Sequence, residues 1–278
     1  MCLLLSKFSR MLAQMMKTLI IAALLFPATL RAEEIYGNVE FLNGWRLDDG
    51  SYQTGIEFDL NEGWKTYWRV PGPAGIPPFF DWGGSSNIAS IVVDWPVPHV
   101  FETYGLTSIG YKDLMVLPIR IIPIQKNAPV NVELNFEFGV CSDICIPADV
   151  RIHTNLGNHP REGVPAIKAA LNSRPQSAND AGLRSATCAF TPNGSGFDIV
   201  AKLKFTNPLQ GDPTTVIEYT DPDIWIDIAE TSIEGKNLIA NATLEYYGDG
   251  MLTIDRSAIR ITVLNNDRAV EVFGCPAS

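Results

Sequence analysis

Residues 130–140 read VNVELNFEFGV and run directly into Cys141-Ser142-Asp143-Ile144-Cys145-Ile146-Pro147. Val132, Leu134, Phe136, Phe138 and Val140 alternate with polar Asn131, Glu133, Asn135 and Glu137, so the apolar side chains share one face of an extended chain. This period of two predicts a half-buried antiparallel strand with one wet face. Val150 and Ile152 resume the alternation beyond the cysteines, which places Cys141 and Cys145 on a turn joining two strands. A thioredoxin-type site sets its first cysteine at a helix N-terminus instead; Pro147 and the strand pattern after it argue against a helix here.

Outward from that hairpin the same grammar repeats. Thr54–Leu60, Ile88–Trp95 and Met115–Ile122 are rich in β-branched and aromatic residues and are bounded by Gly, Pro and Asn clusters. Between about Asn155 and Thr187 the composition shifts to Pro, Gly, Ser, Asn and Ala around one short helical candidate, Val164–Leu171. Strand patterns return at Phe197–Phe205, Thr214–Tyr219, Ile224–Ile228, Leu238–Tyr247 and Ala258–Leu264. The expected fold is therefore all-β, with two β-sandwich domains over residues 33–156 and 187–278 and a linker with a short helix over 157–186.

The first 32 residues read differently. Lys7, Arg10 and Lys17 precede an apolar run from Thr18 to Leu30, and Ala32 closes it without a single acidic residue. That is the pattern of a cleaved secretory signal peptide, since a run of about 13 apolar residues interrupted by Pro27 is shorter than the roughly 20 a spanning helix needs. The chain of 278 residues carries 21 basic and 31 acidic side chains, a net charge of −10. Cleavage near Ala32 removes Lys7, Arg10, Lys17 and Arg31, which leaves 17 basic residues against 31 acidic and sharpens the charge to −14. So acidic a surface argues against nucleic acid as a partner. No later stretch is apolar enough to span a membrane, so an exported, non-spanning protein is expected.

Export gives the five cysteines their meaning. Cys2 leaves with the signal, and four remain in a disulfide-permissive compartment. Cys188 and Cys275 would enclose the whole second domain, and in the chain-entropy picture a loop of that length restrains the unfolded chain by about 4.6 kcal/mol, against about 2 for the short Cys141–Cys145 loop. The long pair suits a structural bridge and the short pair is a poor staple, which leaves Cys141 and Cys145 as candidate redox residues. A structural hairpin disulfide and a cuprous-ion site on the CxxxC pair remain alternatives. A third ligand is not evident, because His153 lies eight residues on and His99 and His159 read as surface residues, so no metal or other cofactor is assigned. Asp143 and Asp149 would raise a nearby thiol pKa.

The stretch His99–Pro118 (HVFETYGLTSIGYKDLMVLP), followed by the cysteine hairpin and Pro147, resembles the N-terminal periplasmic domain of the DsbD-type thiol-disulfide reductases, including the Scs-type proteins. Gly63-Trp64-Lys65-Thr66-Tyr67-Trp68, Gly75-Ile76-Pro77-Pro78, Asp81-Trp82 and Trp95-Pro96 resemble the same domain, and the similarity covers roughly Gly44–Leu156. The resemblance implies an immunoglobulin-like sandwich in the periplasm whose cysteines, Cys141 and Cys145 here, take electrons from a membrane-embedded thiol reductase and pass them to periplasmic disulfide proteins. It also implies a cap loop over the cysteines, matching Phe101, Glu102 and Tyr104. The best-known members have five residues between the cysteines and continue into membrane and thioredoxin-like domains. This chain has three and neither domain, so a stand-alone carrier or acceptor is expected.

Overall fold

The computed structural model describes residues 35–103, 105–157, 161–194, 196–250 and 252–277. The expected signal peptide, Tyr104 and His159 lie outside the described residues. The chain runs through β1 (Gly37–Arg46), β2 (Tyr52–Leu60), β3 (Lys65–Tyr67), β4 (Phe79–Asp81), β5 (Ile88–Val93), β6 (His99–Thr103), β7 (Leu106–Lys112), β8 (Leu114–Pro123), β9 (Val130–Cys141) and β10 (Cys145–Leu156). After helix α1 (Val164–Asn172) come β11 (Gln176–Ser177), β12 (Leu183–Asn193), β13 (Gly196–Phe205), β14 (Thr214–Glu218), β15 (Ile224–Ile226), β16 (Glu230–Glu234), β17 (Asn237–Tyr246), β18 (Arg260–Asn265) and β19 (Arg268–Phe273). Apart from α1 and one short 3₁₀ turn the described chain is built of β-strands, in largely antiparallel sheets consistent with an immunoglobulin-like sandwich.

Two sheets form the first half, in the orders β1-β2-β8-β5 and β10-β9-β3-β7-β6, with β4 added beside β9. Ile56, Phe58, Leu117, Ile119 and Ile121 of the first sheet face Val132, Leu134, Phe136, Phe138 and Val140 of β9 in one buried core. Full burial of side chains of this size contributes about 1.5–3 kcal/mol each, which is why the alternation in β9 fixes its register. Phe58 meets the rings of Phe136 and Phe138 edge-on, at 5.8 and 5.3 Å.

The second half holds two more sheets, β11-β19-β18-β14 and β12-β13-β17-β15, with β16 also on β17. Ile199, Ala201, Leu203, Leu238, Ala240, Ile261 and Val263 supply its core. The first core reaches into this half, since Val216, Leu264 and Ala269 belong to it. At the same seam Arg69 pairs with Glu218 and Glu271, both at 2.8 Å, and donates to Thr262 Oγ1.

Strand ends shift where local chemistry competes with the ladder. Ile88–Trp95 shortens to Val93, ahead of the extended Trp95-Pro96 segment. Ala258–Leu264 starts only at Arg260, because Arg256–Ala258 forms a 3₁₀ turn capped by Asp255, whose carboxylate accepts from Ser257 N. The stretch from 157 to 186 holds more order than its composition implies. Ile167 and Ala170 of α1 pack on Leu42 and Val116, and β11 adds a parallel edge to β19.

Candidate functional site

β9 and β10 pair without a break from Val130↔Leu156 to Cys141↔Cys145, so the three residues Ser142, Asp143 and Ile144 are all that closes the hairpin. Ser142 N donates to Ile144 O at 3.1 Å, and the side chain of Ile144 stands exposed at the tip. The even-numbered residues of β9 fill the core, so Cys141 and its cross-strand partner Cys145 lie on the opposite, outer face of the sheet. The two are joined in a disulfide. Cys141 is only 6% exposed, whereas Cys145 is open to solvent.

Tyr67 is the nearest functional group. Its hydroxyl lies 3.2 Å from Cys145 Sγ and donates to Ala74 O at 3.3 Å. Burial pushes its pKa above the ordinary tyrosine value, so at neutral pH it remains a protonated donor. The ring lies in a slot that only glycine leaves open: a Cβ at Gly139 would come within 2.9 Å of it, and one at Gly75 within 2.8 Å. β3 is anchored beneath by Thr66 Oγ1, which donates to Gly139 O at 2.9 Å, and by fully buried Trp68, with the Arg69 guanidinium 4.0 Å from its ring centre.

Lys65 stands directly across the ladder from Cys141. Its Nζ reaches along the outer face to Thr103 Oγ1 and Ser108 Oγ, each at 3.4 Å, and sits 5.1 Å from the centre of the Phe101 ring. Phe101 thus lies on the same face as the cysteines, at the sheet edge and beside His99, whose ring centre is 6.1 Å away. Glu102 is exposed and accepts from Thr107 Oγ1 at 2.6 Å. The structure therefore gathers Cys141, Cys145, Tyr67 and Lys65, and sets Phe101 and Glu102 on the neighbouring hairpin of β6 and β7. Tyr67 and Lys65 were missed as site residues; their sequence signal was the one-residue spacing that puts both on one face. Three-residue β3 is too short for periodicity to show it.

His153 pairs with Glu133 at 3.5 Å on the outer face, eight residues beyond Cys145. His99 Nδ1 lies 4.0 Å from Asp267. Among the described residues, no group of three or more His, Cys, Asp or Glu side chains is placed to hold a metal ion. Cys188 and Cys275 form the second disulfide, and both are fully buried. Cys188 N donates to Pro276 O at 2.8 Å, and Arg256 Nη1 donates to Cys188 O at 2.8 Å.

With this geometry the chain can be compared with known proteins. Residues 38–156, which contain the whole cysteine hairpin, match the family model of the thiol:disulfide interchange protein DsbD, N-terminal. That segment is a DsbD N-terminal-type domain. A solved structure, the N-terminal periplasmic domain of ScsB from Proteus mirabilis, superposes with a TM-score of 0.63 at 21% identity, over 84% of this chain and 90% of that one. No curated protein matches the chain. The DsbD-type segment is a thiol-disulfide interchange domain, of general oxidoreductase character. No helix among the described residues is long and apolar enough to cross a membrane.

Proposed function

We propose that this chain is a periplasmic electron carrier that takes reducing equivalents from a membrane-embedded thiol reductase and delivers them to oxidised periplasmic proteins. The observation that carries the reading is the accessible Cys145, bonded to sheltered Cys141 on the outer face of a DsbD-type domain. A thiolate of the reductase attacks Cys145 Sγ, and Cys141 leaves as a thiolate. The reductase's second thiolate then attacks its own sulfur in the mixed disulfide and releases Cys145, so the reductase ends as a disulfide and the carrier as a dithiol. On the outgoing leg Cys145 attacks a client disulfide, and Cys141 resolves the mixed disulfide by attacking Cys145 Sγ, freeing a reduced client. In this reading residues 33–156 carry the chemistry, residues 187–278 form a second sandwich domain, residues 157–186 link them, and the first 32 residues direct export. Phe101, at the rim of the cysteine face, and Glu102 on the same strand belong to the cap loop in this reading, together with Tyr104, which lies outside the described residues.

Trapping tests it. The full chain with Cys141→Ala keeps an attacking Cys145 without its resolving partner and is expected to hold clients and reductase as mixed disulfides, while the double variant holds none. A Cys141/Cys145 reduction potential below about −300 mV, together with no trapped partner, would mark an inert structural bond and sink the reading.

A further inference from the structure

The cysteine hairpin has an uncommitted cation beside it. Lys65 is the direct cross-strand neighbour of Cys141, a position at which Cβ atoms stand about 5 Å apart on one face. None of the ion pairs among the described residues involves Lys65. Lys112, its other ladder neighbour, lies 3.9 Å from Asp113. With the sulfurs bonded and neutral, the Lys65 ammonium is held by two hydroxyls and the face of Phe101.

We propose that Lys65 stabilises the Cys141 thiolate released when the disulfide is opened. The inference rests on the interchange reading above. When an incoming thiolate attacks Cys145 Sγ, a new S–S bond forms and the Cys141–Cys145 bond breaks, its electron pair going to Cys141 Sγ. The incoming sulfur is oxidised and Cys141 is reduced, with a full negative charge. That charge appears on the more sheltered cysteine, where poor solvation penalises an anion. A lysine on a flexible four-carbon stem, one strand away and without a carboxylate partner, swings to meet it at the cost of two weak hydrogen bonds. By the same alternation the other titratable groups on this face are Tyr67 on β3, Asp81 on β4, Lys112 on β7, His99 on β6, Glu133 and Glu137 on β9, Asp143 in the hairpin loop, and Asp149, Arg151 and His153 on β10. All of them persist in the comparison below.

The test uses the full chain with Cys145→Ser, which leaves Cys141 as a free thiol, and follows its alkylation rate by iodoacetamide across pH. In that background Lys65→Met should raise the pKa of Cys141 by about one unit, an about tenfold loss of thiolate at pH values below it, and Lys65→Arg should restore it. In the chain with both cysteines, Lys65→Met should slow disulfide opening by dithiothreitol by about the same factor. Superimposable pH profiles for Lys, Met and Arg at position 65 would overturn the proposal. Thermal melts check folding; should Lys65→Met not fold, Lys65→Gln removes the charge while keeping a polar end, and an unshifted profile there is equally fatal. The two readings fail separately. Trapped partners with an unshifted Cys141 profile would remove Lys65 alone, whereas a shifted profile with no trapped partner would remove the interchange reading.

Discussion

Cys141 and Cys145 close a loop of three residues on the outer face of a sheet, with Cys145 open to solvent and a tyrosine hydroxyl 3.2 Å from its sulfur. Cys188 and Cys275 are 87 positions apart, fully buried, and wrapped by backbone hydrogen bonds and the Arg256 side chain. A thiolate can reach the first bond and cannot reach the second without opening the core. The short loop also restrains the unfolded chain least, so opening it costs little stability. Within one chain, loop length separates a bond that can be cycled from one that holds the fold, and burial reinforces the division.

The comparison breaks most visibly if stability does not follow loop length. Replacing Cys188 and Cys275 by Ser should cost about 4–5 kcal/mol in urea unfolding, against about 2 or less for the hairpin pair, and mild dithiothreitol followed by alkylation and mass analysis should label Cys141 and Cys145 only. Equal losses, or labelling of Cys188, would erase the distinction. Next in size is the joint between the two halves. Arg69→Met strands Glu218 and Glu271, whose side chains are 16% and 21% exposed, and should cost about 2–4 kcal/mol while splitting one unfolding transition towards two. An unchanged single transition would mean that the halves are held together by their apolar contact alone.

A smaller effect sharpens the chemistry of the hairpin. Tyr67→Phe removes the hydroxyl proton that can turn from Ala74 O to a Cys145 thiolate 3.2 Å away, so the reduced form loses about 1 kcal/mol and the reduction potential should fall by roughly 20 mV in a glutathione titration. A rise instead would show that the hydroxyl favours the disulfide. The smallest signature is alkaline. Tyr111, fully buried and donating to Pro96 O at 2.8 Å, has its pKa raised well above 10 by burial. Below pH 10 both folded and unfolded chains hold its proton and stability is unaffected. Above that, the unfolded chain releases a proton the folded one keeps, so stability falls as pH rises. Melts of Tyr111→Phe should lose part of that alkaline slope.

The hairpin was the legible part of the molecule. β9 shows its buried face in eleven consecutive residues, and the turn at Cys141–Cys145 follows from the resumed alternation at Val150 and Ile152. Helix α1 was also readable, to within one residue of its end, because apolar positions in 164–171 recur at helical spacing. What it packs against was not, since the same apolar stripe would suit either half of the chain. Among the strands of the first half not read from the sequence are β1 and β7 as well as β4 and β6; the last two are short and take their order from a neighbour's unpaired backbone rather than from any pattern of their own.

Periodicity and cysteine spacing by themselves determined that this is a β protein, that Cys141 and Cys145 sit at a strand turn, and that the long pair brackets the second half. Those are local or one-dimensional properties, set by which side chains must leave water and by how far apart two residues lie in the chain. Only the tertiary structure decided which sulfur is exposed, that Tyr67 and Lys65 join the cysteines, and that Arg69 binds Glu218 and Glu271 across the seam. Those contacts link residues as many as 202 positions apart, and they exist only because two sheets bury their apolar faces and bring their rims together.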